Sequence, residues 1–216
     1  MENPTRRRVL AAGVTGTALG LLGGRVASAS TDTTQPSQGG STSSSAPGTT
    51  AAPATTTTLP PKRPTEGDVT LLNFAEGVEL AARDLYKAAI DAGTKDDLVT
   101  MLEANHRGYG DVLRGLLGTE SRPERNAAYD QLVDRFKVSD VKALAAVGYD
   151  LESTLAATHV ALLGKLEGTD GARAIASILI VEARQAAVLA DASGKGADFD
   201  ALFNDTATAL TPPSGG

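Results

Sequence analysis

From Asp68 to Gly194 the apolar residues recur every three or four positions, the spacing of helices that bury one face. Glycines at 93, 118, 168 and 194 cut the pattern into four long segments. Within these segments four glutamates, Glu79, Glu103, Glu152 and Glu182, interrupt the apolar stripes. An ionised glutamate is almost never fully buried unless something pairs with it. The pattern therefore confines the chain to an all-α bundle, and the bundle must find partners for several carboxylates at once.

Capping and stop signals set the helix limits. The first long helix is expected over 68–92, opened by Thr65-x-x-Asp68 as a capping box and stopped by Gly93. The second is expected over 95–117. Ser121-Arg-Pro-Glu124 reads as another capping box, opening a shorter helix to about 136. The third long helix follows Ser139 and ends near Gly168, and the fourth runs from Asp170 to Gly194. Phe199, Leu202 and Phe203 form one last turn before a Thr-Pro-Pro-Ser-Gly-Gly tail. Short loops join the first helix to the second and the third to the fourth, making each pair antiparallel neighbours. The connection between the second and third contains a helix of its own, spanning roughly 22 Å, enough to cross the bundle from end to end.

At about 100° per residue, Glu79 lies at the edge of the stripe Leu71, Ala75, Val78, Ala82, Leu85, and Glu103 flanks the stripe that holds His106. Glu152 falls among Leu144, Gly148, Leu155 and Leu162, and Ile175, Ile178 and Leu189 flank both Glu182 and Gln185. Glu79, Glu152 and Glu182 lie eleven to thirteen residues into their helices and Glu103 about eight, so all four reach mid-bundle within about a turn. Crowded carboxylates in apolar surroundings repel, and a cation neutralises them. With oxygen and imidazole donors, iron or manganese suits such a site better than zinc. This is the pattern of a carboxylate-bridged di-metal site in a four-helix bundle, in which two Glu-x-x-His pairs are expected. Glu103-x-x-His106 is one of them, and Gln185 occupies the histidine position of the other. His159 lies two turns from Glu152, about 10 Å away, and reads as a hydrogen-bonded core histidine. Tyr86 and Tyr109 face inward, while Glu76 reads as a solvated partner of Arg83.

The N-terminal third is of another kind. Residues 1–29 read as a twin-arginine signal peptide: Thr5-Arg-Arg-Arg-Val-Leu10, an Ala/Gly/Leu run, then Ala27-Ser-Ala29 for cleavage. Residues 30–66 are rich in Ser, Thr, Pro and Gly and read as a disordered linker. They lead to a bundle at 67–195 and a C-terminal turn and flexible tail at 196–216. The expected location is the periplasm, cell envelope or exterior. The chain has no cysteine, hence no lipid anchor, disulfide or thiolate ligand. Cleavage after Ala29 leaves 16 basic and 25 acidic residues, a net charge of −9 that argues against nucleic acid as a partner.

Leu72-Asn-Phe-Ala75 leading to Val78-Glu79, Leu151-Glu152 and Ile180-Val-Glu-Ala-Arg-Gln185 resemble helix signatures of the ferritin-like superfamily, in particular exported bacterial ferritin-like proteins related to desiccation-associated proteins. The resemblance covers about 68–193. It implies a ferritin-like four-helix bundle with the long helix-containing crossover between helices two and three. It further implies that Glu79, Glu103 and His106 serve one metal, with Glu152 and Glu182 bridging or completing a second. Gln185 offers that second metal a weaker, neutral amide oxygen. The expected function is non-haem di-metal binding, with iron first, manganese as substitute, and redox activity with it. Metal ions are the expected partners, with homo-oligomers through bundle faces. The alternative is a non-catalytic cell-envelope or stress-related bundle whose metal site is vestigial.

Overall fold

The computed structural model describes residues 59–203 and 206–212, so the expected signal peptide and most of the expected linker lie outside the described residues. Six α-helices follow in order: α1 (Glu66–Asp91), α2 (Asp97–Leu117), α3 (Ala128–Phe136), α4 (Val141–Leu163), α5 (Thr169–Ser193) and α6 (Phe199–Phe203). A 3-10 turn, Gly118–Glu120, follows α2. No strand occurs among the described residues, and no helix there is long and apolar enough to cross a membrane. The hairpins α1–α2 and α4–α5 form the bundle, α1 facing α4 and α2 facing α5, with α3 lying in the crossover against α1 and α4. This is the all-α ferritin-like architecture expected from the stripes and loop lengths.

The start of α1 is the capping box that the sequence predicts. The Thr65 hydroxyl accepts from the Asp68 amide at 3.3 Å, and the Thr65 amide donates to Asp68 Oδ2 at 2.9 Å. Asp68 does more than cap, because its carboxylate also accepts the amides of Glu167 and Gly168, each at 2.8 Å. Burial alone would raise its pKa, but these backbone amides hold it below the usual aspartate value. Two further bonds secure the same junction, from the Thr169 amide to Pro61 O and from the Asp170 amide to Lys62 O, both 2.9 Å. A Cβ on Gly168 would sit 2.6 Å from Arg63 O and 2.8 Å from Asp68 Oδ2, so only glycine fits there. The same bonds explain why α4 ends at Leu163 rather than near Gly168. Amides 167 and 168 face Asp68, so they cannot continue the helix.

The crossover departs from expectation at its start. Ser121 does not open a helix: its hydroxyl donates to Glu76 Oε2 at 2.7 Å, and α3 begins seven residues later. There the Asn126 side chain accepts the Ala128 amide. Between them the chain presses on α1 at Gly77, where an added Cβ would meet Glu124 O at 2.2 Å. Glu76 is correspondingly wholly buried, bonded to Ser121 and to Arg114 Nε at 3.0 Å, whereas Arg83 pairs with Asp84. The solvated Glu76–Arg83 pair is thus corrected. A helical wheel of α1 alone has no access to the crossover that covers this face.

Two apolar clusters fill the bundle. One holds Leu72, Ala75, Leu113, Leu117, Leu162, Ile175 and Ile178. The other holds Val78, Ala82, Leu85, Val99, Leu102, Phe136, Leu144, Leu155 and Leu189, among others. Phe136 of α3 is fully buried, which contributes about 1.5–3 kcal/mol, and its ring meets Tyr86 edge-on at 5.4 Å. Beyond α6, Leu210 packs on this second cluster, and its amide donates to Thr158 Oγ1 at 2.9 Å. That part of the expected flexible tail is therefore bound to the bundle.

Candidate metal centre

Each long helix carries polar side chains where it passes from one apolar cluster to the other. On α1 these are Glu79 and Tyr86, on α2 His106, on α4 Glu152 and His159, and on α5 Glu182; all six are wholly buried. Glu79 stands at the middle. Its Oε2 lies 2.8 Å from His106 Nδ1, and its Oε1 faces His159 Nε2 at 3.2 Å without hydrogen-bond alignment. His106 Nε2 reaches Glu152 Oε1 at 3.0 Å, and His159 Nδ1 reaches Glu182 Oε2 at 2.6 Å. The Tyr86 hydroxyl donates to Glu152 Oε1 at 2.6 Å, and the tyrosine ring stacks on His106, 5.6 Å between centroids. Each imidazole is thus held between two carboxylates, with Glu79 common to both.

Burial sets the electrostatics of the group. It raises the Glu182 carboxyl well above the usual range, helped by the charges of Glu79 and Glu152. It would raise Glu79 too, but the hydrogen bond and charge of His106, then the charge of His159, hold Glu79 below its ordinary value. For His106 burial works against protonation, yet Glu152 and Glu79 keep its pKa well above the usual imidazole value. Burial pulls His159 down. Burial, then the charge of Glu152, raises the Tyr86 hydroxyl, and the Tyr109 hydroxyl is raised by burial and by Glu182, Glu152 and Glu79. The neighbouring Gln185 amide acts weakly against that rise. Both shifts favour the protonated forms of Glu182 and His106, which lessens negative charge in the core.

With the carboxyls ionised, several donor atoms find no aligned hydrogen bond: Glu79 Oε1, Glu152 Oε2, Glu182 Oε1, His159 Nε2 and both amide atoms of Gln185; a proton on Glu182 would link it to Glu79, and the Gln185 amide lies beside the Tyr109 hydroxyl. Such orphans are costly in a packed core, at about 1–3 kcal/mol each. Ligand atoms of Glu79, His159 and Glu182 all lie within 4.8 Å of one another, close enough to share one ion. Hard oxygen donors with imidazole nitrogen fit iron or manganese. The residues present therefore fit a metal.

Of the residues picked out from sequence, Glu79, His106, Glu152 and Glu182 are brought together. Gln185 is buried one turn along α5 from Glu182, beside Tyr109. The buried Glu103 carboxylate is paired with the exposed Arg107 guanidinium rather than with the histidines. His159, read as a core histidine outside the site, is in contact with Glu79 and Glu182. Its position seven residues after Glu152 was the available signal. Helical spacing puts both on one face of α4, and Glu79 has an oxygen for each height.

No curated protein and no solved structure matches the chain. The ferritin-like domain family matches residues 67–195, a span that holds every residue of the centre and more than half of the chain, and this protein belongs to that family.

Proposed function

We propose that the protein binds iron, with manganese as substitute, in a non-haem di-metal centre built from Glu79, Glu152, Glu182, His106 and His159. The observation that carries this reading is the set of unpartnered donor atoms on wholly buried Glu79, Glu152, Glu182 and His159. Glu79, with one oxygen toward each imidazole, is the shared carboxylate, with His106 and Glu152 on one side and His159 and Glu182 on the other. Bound iron supplies one-electron redox chemistry. The chain's own contribution is positional. Tyr86 fixes Glu152 by its hydroxyl and His106 by its ring, the Glu182 carboxyl holds the His159 imidazole, and the two apolar clusters exclude water from either end. In this reading His159 supplies the second imidazole from α4, in place of position 185 on α5.

The wider setting rests on the sequence. Residues 1–29 direct export by the twin-arginine route, and the expected linker, less its last residues 61–66, which are bonded into the bundle, carries the domain as a stalk in the periplasm, cell envelope or exterior. The kinship with desiccation-associated proteins belongs to the same proposal, as do oligomers through bundle faces. Elemental analysis after reconstitution with Fe(II) tests the centre. Stoichiometric metal that Glu79→Ala abolishes supports it, and trace metal unaffected by that substitution rejects it. Two observations favour a second reading, a vestigial site in a non-catalytic envelope or stress protein: Glu103 is turned toward Arg107, and Gln185 is no imidazole. That reading predicts a melting temperature indifferent to chelator.

A further inference from the structure

The faces of the bundle are closed to different degrees. Between α1 and α4 the crossover and the C-terminal segment complete the wall. Asn126, Ala128 and Leu210 close over Val78, Leu85 and Leu155, leaving a void of only about 10 Å³. Between α1 and α2 the packing is tight, since a Cβ on Gly110 would lie 3.1 Å from Leu80 Cδ2. Outside the α2–α5 seam, among the described residues, neither α3 nor α6 packs on both helices to the extent that α3 packs on α1 and α4. Tyr109 on the α2 side is only partly buried, and one turn further Val112 is 54% exposed. On α5, Val188, one turn beyond Gln185, is 45% exposed.

Polar atoms lead inward from this seam. The Tyr109 ring meets His106 edge-on at 5.5 Å, and its hydroxyl adjoins Gln185. Gln185 is 6% exposed, yet neither of its amide atoms has an aligned hydrogen bond. One helical turn away, Glu182 Oε1 is also unpartnered and belongs to the centre. A buried amide whose nearest polar neighbour is a single hydroxyl keeps unused hydrogen-bonding capacity, which costs stability unless something takes it up. Neutral oxygens in sequence can take over part of an ion's hydration without holding the ion.

We propose that the α2–α5 seam at Tyr109 and Gln185 is the passage by which a divalent cation reaches the buried centre, with the Gln185 amide oxygen its last neutral ligand before Glu182. This rests on the metal-centre reading above and adds the direction of approach and a role for residue 185 other than resident ligand.

The test is the rate of Co(II) uptake by the full chain, followed by visible absorption, and the rate of its removal by chelator. Gln185→Leu keeps the volume and removes both polar atoms; Tyr109→Phe removes the hydroxyl and serves if Gln185→Leu fails to fold by circular dichroism. Each is expected to slow uptake and release alike by about tenfold, leaving stoichiometry and affinity near those of the parent. Leu210→Ala, which opens the α1–α4 wall, and Glu103→Gln, at the carboxylate paired with Arg107, are expected to load at the parent rate. Parent rates in both seam variants, or faster loading in Leu210→Ala, overturn the passage while leaving the centre intact. A fall in affinity with unchanged uptake rate overturns it too, by making Gln185 a resident ligand. A parent protein that takes up no Co(II) overturns the centre and the passage together.

Discussion

The substitution His159→Ala separates the ligand set in the structure from the one that spacing suggests. His159 Nδ1 is bonded to Glu182 Oε2 at 2.6 Å and its Nε2 faces Glu79 Oε1 at 3.2 Å, so truncation removes the only imidazole on that side of Glu79. A four-ligand protein metal site contributes about 10–16 kcal/mol, or about 3 kcal/mol per ligand, so binding should weaken by about 100-fold or more. Glu103→Ala removes a carboxylate paired with the largely exposed Arg107, and its effect on affinity should stay within about threefold. Isothermal titration with Mn(II), and competition with a chelator for tighter ions, reads both. His159→Ala should also destabilise the metal-free protein by about 2–4 kcal/mol, from the lost hydrogen bond and the cavity, so binding is measured well below its melting temperature. Wild-type affinity in His159→Ala, together with lost affinity in Glu103→Ala, would refute the reasoning.

Three further outcomes follow from the same contacts. Gly77→Ala, whose Cβ would lie 2.2 Å from Glu124 O, should cost at least about 2 kcal/mol in thermal unfolding, and an unchanged melting temperature would mean that the crossover does not rest on α1. Asp68→Ala strands three backbone amides at the α1 and α4–α5 junction and should cost about 2–4 kcal/mol by urea denaturation, with Asp68→Asn recovering part. The metal-free protein should lose stability as pH rises past 4.5 for Glu182 and past 6.5 for His106. The folded-state values of His106 and Glu182 are raised above 6.5 and 4.5, so what they contribute is complete below those values and lost as pH rises through the folded ones. His159, lowered from 6.5, works the other way, and its contribution is complete above 6.5. Metal loading should abolish the loss and release protons to a pH dye, and identical pH profiles with and without metal would refute the assignment.

The helices and the crossover could be read from the sequence because stripes and caps are local properties, each fixed by residues within a turn or two. Glu79, Glu152 and Glu182 share that legibility, since an acid inside a stripe is conspicuous wherever the neighbouring helices lie. What escaped was relational. His159 lies about 10 Å along α4 from Glu152, and that distance would exclude it from a site confined to one level. Glu79 spans both levels by offering one oxygen to each histidine, a fact about α1 and α4 together. Glu103 erred in the opposite sense: its height on α2 suits the centre, but its bearing turns it toward Arg107. Ser121 could serve equally as a cap or as a partner of Glu76, and only the path of the crossover over Gly77 decides between them.

The junction at Asp68 bears on where this domain can be cut for expression. The family match begins at residue 67 and ends at 195, and a piece trimmed to those limits would contain every residue of the centre. It would nevertheless lack the Thr65 cap of α1, the Pro61 and Lys62 carbonyls that accept the first amides of α5, and Leu210 against Thr158. Its first helix would begin without a cap, two amides would turn to water, and the α1–α4 wall would lose the Leu210 side chain packed beside Leu85 and Leu155. A fragment that keeps all these contacts must include at least Pro61 to Leu210, and shorter ones should be judged on their own melting curves before their metal content is compared with that of the whole chain.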